Sequence, residues 1–227
     1  MAICGYATGA SNGIVFIRHG HDGPIDRTEK AIQNAYANGL LGEDILGSGF
    51  SFDIEVSLTG ESYVAGEETA LMESIEGKRS MPRYRPPFPA QVGVWNKPSN
   101  INNVKTLAYA PEIISKGSEW FSSIGVNKST GTAIICLSGQ ITYPGLYEVP
   151  MGLTLGDVID EIGGGVPNGK KLKMLQTGGP LGGVLGADSL EIHLDFDEMR
   201  AAGAILGSGG IIVADEDTCA VNLTQVL

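Results

Sequence analysis

The period of hydrophobic positions changes several times along the chain, and each change predicts an element. Residues 2–8 read as the last turns of a helix stopped by Gly9. No capping residue precedes them, and Met1 sits directly on the element, so the natural protein is expected to start further upstream. "GIVFIR" (Gly13–Arg18) is a short unbroken apolar run and predicts a strand buried on both faces. A loop and a helix follow, with Asp26 as cap and Glu29 as its capping-box partner. Ala31, Ile32, Ala35 and Tyr36 form that helix's apolar stripe, and Asn38-Gly39 its stop. In "FSFDIEVSL", Phe52, Ile54, Val56 and Leu58 alternate with polar neighbours, which predicts a strand. Strand, helix, strand at this spacing is a βαβ unit with parallel strands and a right-handed crossover.

Leu71, Met72 and Ile75 recur at helical spacing, and Gly77 ends that helix. "KRSMPRYRPPFPA" predicts irregular structure, because Pro82, Pro86, Pro87 and Pro89 interrupt it. A further helix is expected from Val104 to a stop at Gly117. Near Gly131 the texture changes. "TAIICLSGQITYPGLYEV" predicts two strands around a Tyr143-Pro144-Gly145 turn. "TLGDVIDEIGGG" predicts a short helix with Thr154 as cap and Asp157 as capping-box partner. "KLKMLQT" predicts a strand, and "LEIHLD" one more. This is a β-grasp (ubiquitin-like) order, so a small second domain is expected over residues 131–195. From Asp195 the chain predicts a capped helix, a glycine turn and a strand.

Composition narrows the function classes. The 227 residues are 42% hydrophobic and 18% charged, a globular composition with enough chain for a real core. A formal net charge of −11 argues against duplex nucleic-acid binding and against clinging to anionic lipid. No run of about 18 apolar residues predicts a membrane span, and the start has no basic n-region of a signal peptide. Cys4, Cys136 and Cys219 are scattered, which excludes a cysteine-only zinc or iron–sulfur site within these residues and fits a reducing cytosol. His19, His21 and His193 have no ligand-like spacing, so no metal is expected.

Three clusters carry candidate chemistry, each with two open readings. Glu67 and Glu68 follow Gly66 at a helix start. There they complement the macrodipole, for about 0.3–1 kcal/mol each. Alternatively, Gly66 lets a ligand approach the backbone, and the carboxylates bond ribose hydroxyls while repelling phosphate. Lys78, Arg79, Arg83 and Arg85 place four of the chain's fifteen cations in eight residues. They are either a solvated loop offsetting an acidic surface or a docking surface for an anion or a neighbouring domain, with Tyr84 and Phe88 favouring an interface. Asn102 and Asn103 are either caps and turn residues or groups set around a flavin or nicotinamide edge. The glycine loops of 178–183 and 207–210 read as tight turns, because neither opens a helix after a strand as a phosphate loop must.

"LLGEDILGSGFSFDIEV", "YVAGEETALMESIEGKRSMPRYRPPFPA" and "INNVKTL" resemble the NADH-binding flavoprotein subunit of respiratory complex I. The same module occurs in NAD(P)-linked hydrogenases and formate dehydrogenases. "SGQITYPGLYEVPMGLTLGDVIDEIGGG" is similar to that subunit's SLBB-type β-grasp domain, and "GAILGSGGIIVADEDTC" to the segment after it. The resemblance implies an α/β fold: a partial Rossmann-like FMN/NADH domain over 1–130, the SLBB β-grasp domain over 131–195, and a connector over 196–227. It implies hydride transfer from NADH to FMN, then single electrons to a [4Fe–4S] cluster. Tyr63, Gly66, Glu67 and Glu68 would line the FMN/NADH pocket, with Asn102 and Asn103 beside the flavin. The glutamates would favour NADH over NADPH, whose extra phosphate they repel.

In that family the FMN-phosphate loop would lie before Met1 and the cluster domain beyond Leu227. The chain is therefore expected to be truncated at both ends, to hold no cofactor alone and to be inactive alone. Expected partners are electron-transfer subunits of a complex I-like, hydrogenase or formate dehydrogenase assembly, reached in the cytoplasm and peripheral to the inner membrane. The alternative is a non-catalytic β-grasp scaffold that docks partner subunits or a soluble ligand.

Overall fold

Two seven-residue strands run side by side in the N-terminal unit. β1 (Asn12–Arg18) pairs in parallel with β2 (Asp53–Thr59), Asn12 opposite Asp53 and Arg18 opposite Thr59. α1 (Ala2–Thr8) precedes β1, and Gly9 closes it with φ 74. The Phe52 ring is 2% exposed and leaves no room beside β1: a Cβ on Gly13 would lie 2.9 Å from it. α2 (Asp22–Ala37) makes the crossover between the strands.

The structure, a computed structural model, describes residues 1–60, 62–179 and 182–226, and the chain divides into units 1–112 and 113–227. Two expectations change in the first unit. α2 begins four residues before the expected cap, at Asp22 with His21 as N-cap, so Asp26 and Glu29 lie inside it. Pro24 falls in the first turn, where its missing N–H has no intrahelical partner to lose. β1 is half-exposed along most of its length, and only Gly13 is buried. Its sheet has two strands among the described residues, so no third strand covers its second edge.

α3 (Glu68–Ile75) buries Thr69, Ala70 and Met72, and Gly77 follows it with φ 74. The proline-rich stretch after it is irregular, and α4 (Val104–Lys116) begins at the expected residue.

The second unit opens with α5 (Ser118–Ser122) and a short antiparallel pair, β3 (Gly125–Val126) and β4 (Ser129–Thr130). β5 (Thr132–Gly139) and β6 (Gly145–Pro150) form the expected hairpin. A π-helical segment, Asp157–Ile162, crosses over. Its entry is a reciprocal capping box: Thr154 N–H donates to Asp157 Oδ2 at 2.8 Å, and Asp157 N–H to Thr154 Oγ1 at 3.0 Å. β7 (Leu172–Thr177), β8 (Val184–Gly186), α6 (Phe196–Ala201), β9 (Gly210–Asp215) and α7 (Ala220–Val226) complete the unit.

The sheet order is β6-β5-β9-β7-β8, with β9 parallel to β5 and antiparallel to β7. The segment expected to be a connector thus supplies the central strand. Ile211 and Val213 of β9 join Ile135, Leu137, Leu155, Val158 and Leu175 in one core. "LEIHLD" is not a strand. It makes one bridge, His193 to Thr154; Leu194 is fully buried and Asp195 is drawn off to cap α6. Gly178 and Gly179 of the first glycine loop and Gly209 of the second take the positive φ of tight turns, at 80, 91 and 81, and Gly178 N–H donates to Gly210 O at 2.8 Å. Pro180 and Leu181, within the first of them, lie outside the described residues.

Candidate functional site

A groove of about 1120 Å³ runs through the N-terminal unit. Gly66, Glu68, Asn102 and Asn103 all line it, although about 35 residues separate the two pairs in sequence. Tyr63 and Glu67 do not line it, and Tyr63 is 74% exposed. The space over Gly66 is open: a Cβ built there would meet nothing within 4 Å. A planar ligand has room to lie against this backbone.

The two adjacent glutamates have separate jobs. Glu67 is the N-cap of α3. Its Oε2 accepts from Thr69 N–H at 3.0 Å, from Ala70 N–H at 2.9 Å, and from the Thr69 hydroxyl. Burial pushes the Glu67 pKa up, but the Thr69 hydroxyl, the two N–H donors and the Arg85 charge outweigh it and hold it below its usual value. Glu68 sits one residue on, faces the groove and pairs with Arg85 Nη1.

The basic loop folds back onto the acids of α3. Arg83 pairs with Glu73 through Nε and with Glu76 through Nη2, the latter at 2.8 Å. Lys78 Nζ lies 2.7 Å from Glu76 Oε2. Burial raises the Glu76 pKa, yet hydrogen bonds from Lys78, Arg83 and the Trp95 N–H lower it to about 2. In the sequence these cations read only as solvated or docking groups. The missed signal was the alternation itself: Glu67, Glu68, Glu73 and Glu76 face Lys78, Arg83 and Arg85 across a Gly77 turn. Trp95 lines the same groove and was not among the residues expected there.

Asn103 caps α4, its Oδ1 accepting Lys105 N–H at 2.8 Å. Asn102 Nδ2 donates to Asn100 Oδ1 at 3.0 Å, and Asn100 Nδ2 approaches Cys4 Sγ at 3.5 Å. Both asparagines are therefore turn and cap residues that also present polar edges to the groove. No group of three metal-binding side chains occurs among the described residues, and no helix of the described residues is long and apolar enough to cross a membrane.

The groove suits FMN on three observations. It has the volume for a tricyclic ring and its side chain. It has an unobstructed glycine wall at Gly66. Its amide and carboxylate groups match a polar ring edge and sugar hydroxyls.

Residues 1–112 match the Nuo51 FMN-binding domain, and residues 134–185 match the SLBB domain. The chain is 51% identical to the NADP-reducing hydrogenase subunit HndC of Solidesulfovibrio fructosivorans, over 99% of this chain and 46% of that protein. It is 47% identical to the F 2 subunit of the NADH-quinone oxidoreductase of Rhizobium meliloti (strain 1021), over 98% of this chain and 53% of that protein. Among solved structures, an NAD+-reducing [NiFe]-hydrogenase in the H2-reduced state superposes with a TM-score of 0.79 at 32% identity, covering 95% of this chain and 35% of that one. The chain thus spans about half the length of the curated relatives it matches.

Proposed function

From a chain whose residues 1–112 belong to the Nuo51 FMN-binding domain and whose residues 134–185 belong to the SLBB domain, we propose part of an NADH dehydrogenase flavoprotein subunit. Its groove binds FMN and the NADH that reduces it. The supporting observation is that Gly66, Glu68, Asn102 and Asn103 meet on one groove wall system despite their separation in sequence. When bound, FMN supplies the exchange between a two-electron hydride donor and single-electron acceptors. The chain's own residues bind and orient. Gly66 admits a ring against the backbone. Glu68 accepts hydrogen bonds from ribose hydroxyls. Asn102 and Asn103 meet the polar edge of the ring. Glu67 supports the same wall through the cap it makes for α3, and Tyr63, one turn before Gly66, is proposed to meet the ligand from outside the groove's lining.

Glu68 repels an added phosphate, so NADH is preferred over NADPH. Its pairing with Arg85 offsets part of that charge, and the preference is correspondingly modest. Electrons then pass to a [4Fe–4S] cluster outside these residues and on to partner subunits of a quinone-reducing, hydrogenase or formate dehydrogenase assembly. The subunit is cytoplasmic and reaches the membrane only through partners. The isolated chain, half the length of its relatives, binds FMN weakly and turns over NADH slowly.

The test is a form extended to the length of those relatives. It should carry stoichiometric flavin and reduce ferricyanide with NADH, and Glu68→Ala and Asn103→Ala should each lower flavin retention or raise KM for NADH. Retention and turnover untouched by both variants would contradict the assignment.

A second reading, a β-grasp scaffold that docks a partner, draws on one observation. Ile134, Leu146 and Ile212 stand 46%, 72% and 43% exposed on the sheet of the second unit. Partner capture by a Leu146→Glu variant as tight as by the unaltered chain would remove it.

A further inference from the structure

Trp95 stands in a conformation that a bulky side chain rarely adopts. Its φ is 49, and Asn96 follows at φ 60, so two successive residues occupy the left-handed region. Such geometry persists only where neighbours over-determine it, and it concentrates at ligand clamps and active sites. Here the neighbours are identifiable. Trp95 N–H donates to Glu76 Oε1 at 2.8 Å. The same oxygen receives Arg83 Nη2 at 2.8 Å, and Arg83 Nη1 donates to Gly93 O at 3.2 Å. Gly93 N–H closes the turn on Lys97 O at 2.8 Å, and Val94 N–H is held by Ser99 Oγ at 3.0 Å.

These bonds fix the backbone from which the indole projects, and the indole itself is left largely open. Trp95 is 55% exposed, while the Glu76 carboxylate that anchors it is 7% exposed. Trp95 lines the groove together with Gly66 and Glu68. An ion-paired cluster centred on the buried Glu76 carboxylate thus holds the Trp95 backbone at the wall of a groove that has an unobstructed backbone surface at Gly66. An indole presented this way matches a planar heterocycle, which stacks on it by offset π contact.

We infer that Trp95 is the stacking platform for the planar ring of the groove's ligand, with Glu76 and Arg83 as the positioning residues that aim it. This rests on the FMN and nucleotide reading of the groove. Both candidate rings share the stacking chemistry, and the experiment separates them.

The full chain is dialysed to equilibrium against FMN in one arm and NAD+ in the other, and bound-flavin emission is read in the FMN arm. Bound flavin is expected to be dark, because an indole in contact quenches it. It should become bright in Trp95→Phe and stay dark in Trp120→Phe. Trp95→Ala should weaken FMN about tenfold, the usual scale for losing one stacking partner. Glu76→Gln keeps the indole but loosens its anchor, so part of the emission should return at saturating FMN. If emission ignores Trp95 while Trp95→Ala weakens NAD+ about tenfold, the nucleotide base is the stacking ring and the platform stands. Measurable binding of both ligands with neither affected by Trp95→Ala overturns the platform alone. No binding of either ligand by dialysis at millimolar concentration overturns the groove assignment and the platform with it. Emission in Glu76→Gln identical to the unaltered chain overturns the positioning role.

Discussion

Replacing Glu67 and Glu68 one at a time should separate two residues that read as a pair in the sequence. In Glu67→Ala, α3 loses its side-chain cap, typically about 1 kcal/mol. The Thr69 hydroxyl, on a residue 1% exposed, also loses its acceptor while still receiving Arg83 N–H at 2.8 Å. A buried hydroxyl stripped of its acceptor adds about 1–3 kcal/mol, so the variant should lose about 2–4 kcal/mol. Glu68→Ala removes one ion pair in which both side chains are over a third exposed, and exposed pairs contribute about 0–1 kcal/mol. Glu67→Gln retains an acceptor oxygen and should fall between. The assay is urea unfolding followed by Trp95 emission in a Trp120→Phe background, so that the probe reports the N-terminal unit. The Glu67→Ala midpoint should fall by about 0.7 M or more, given slopes of about 1–3 kcal/mol per M, and Glu68→Ala should barely move. A Glu67→Ala loss under about 0.5 kcal/mol, or an equal loss in both variants, would refute the division of labour.

Acid should loosen the same unit through Glu76. Its folded pKa of about 2 lies below the ordinary 4.5, so its contribution is complete above about pH 4.5 and is lost as pH falls toward 2. Unfolding at pH 3 should show about 1–2 kcal/mol less stability than at pH 6, after solvent screening on the Lys78 side, and Glu76→Gln should flatten that difference. In the second unit, Asp195 is 2% exposed and caps α6 by accepting Asp197 N–H and Glu198 N–H, both at 2.9 Å. Asp195→Ala should cost about 1–2 kcal/mol by thermal melting of that unit, with the N-terminal unit unchanged.

Local chemistry carried far along this chain. Gly9, Gly39, Gly77 and Gly117 end helices where expected because each takes a positive φ, which glycine alone adopts without penalty. The Thr154–Asp157 box is legible for the same reason: both partners lie within one turn. Periodicity also shows β1 and β2 and their parallel pairing. What the sequence hid is non-local. The strand Gly210–Asp215 enters the middle of its sheet after α6 and a glycine turn, and nothing within it names its neighbours β5 and β7. Two local signals misled. Asp26 and Glu29 have the spacing of a capping box but lie inside a helix that Pro24 already permits to begin at Asp22. "LEIHLD" has strand alternation, but Asp195 is claimed by α6. At the site, the string around Gly66–Glu68 and the paired asparagines were legible. That Glu67 caps α3 while Glu68 faces the groove depends on a one-residue difference in helix start, which periodicity does not resolve.

The most direct measurement of the groove assignment is an amide NMR titration of the 15N-labelled chain with FMN and then NADH, which reads weak binding residue by residue. Shift changes should centre on Gly66, Glu68, Asn102 and Asn103, extend to Trp95, and leave β5, β7 and β9 still. Changes centred on the β-grasp sheet, or none at millimolar ligand, would contradict the assignment.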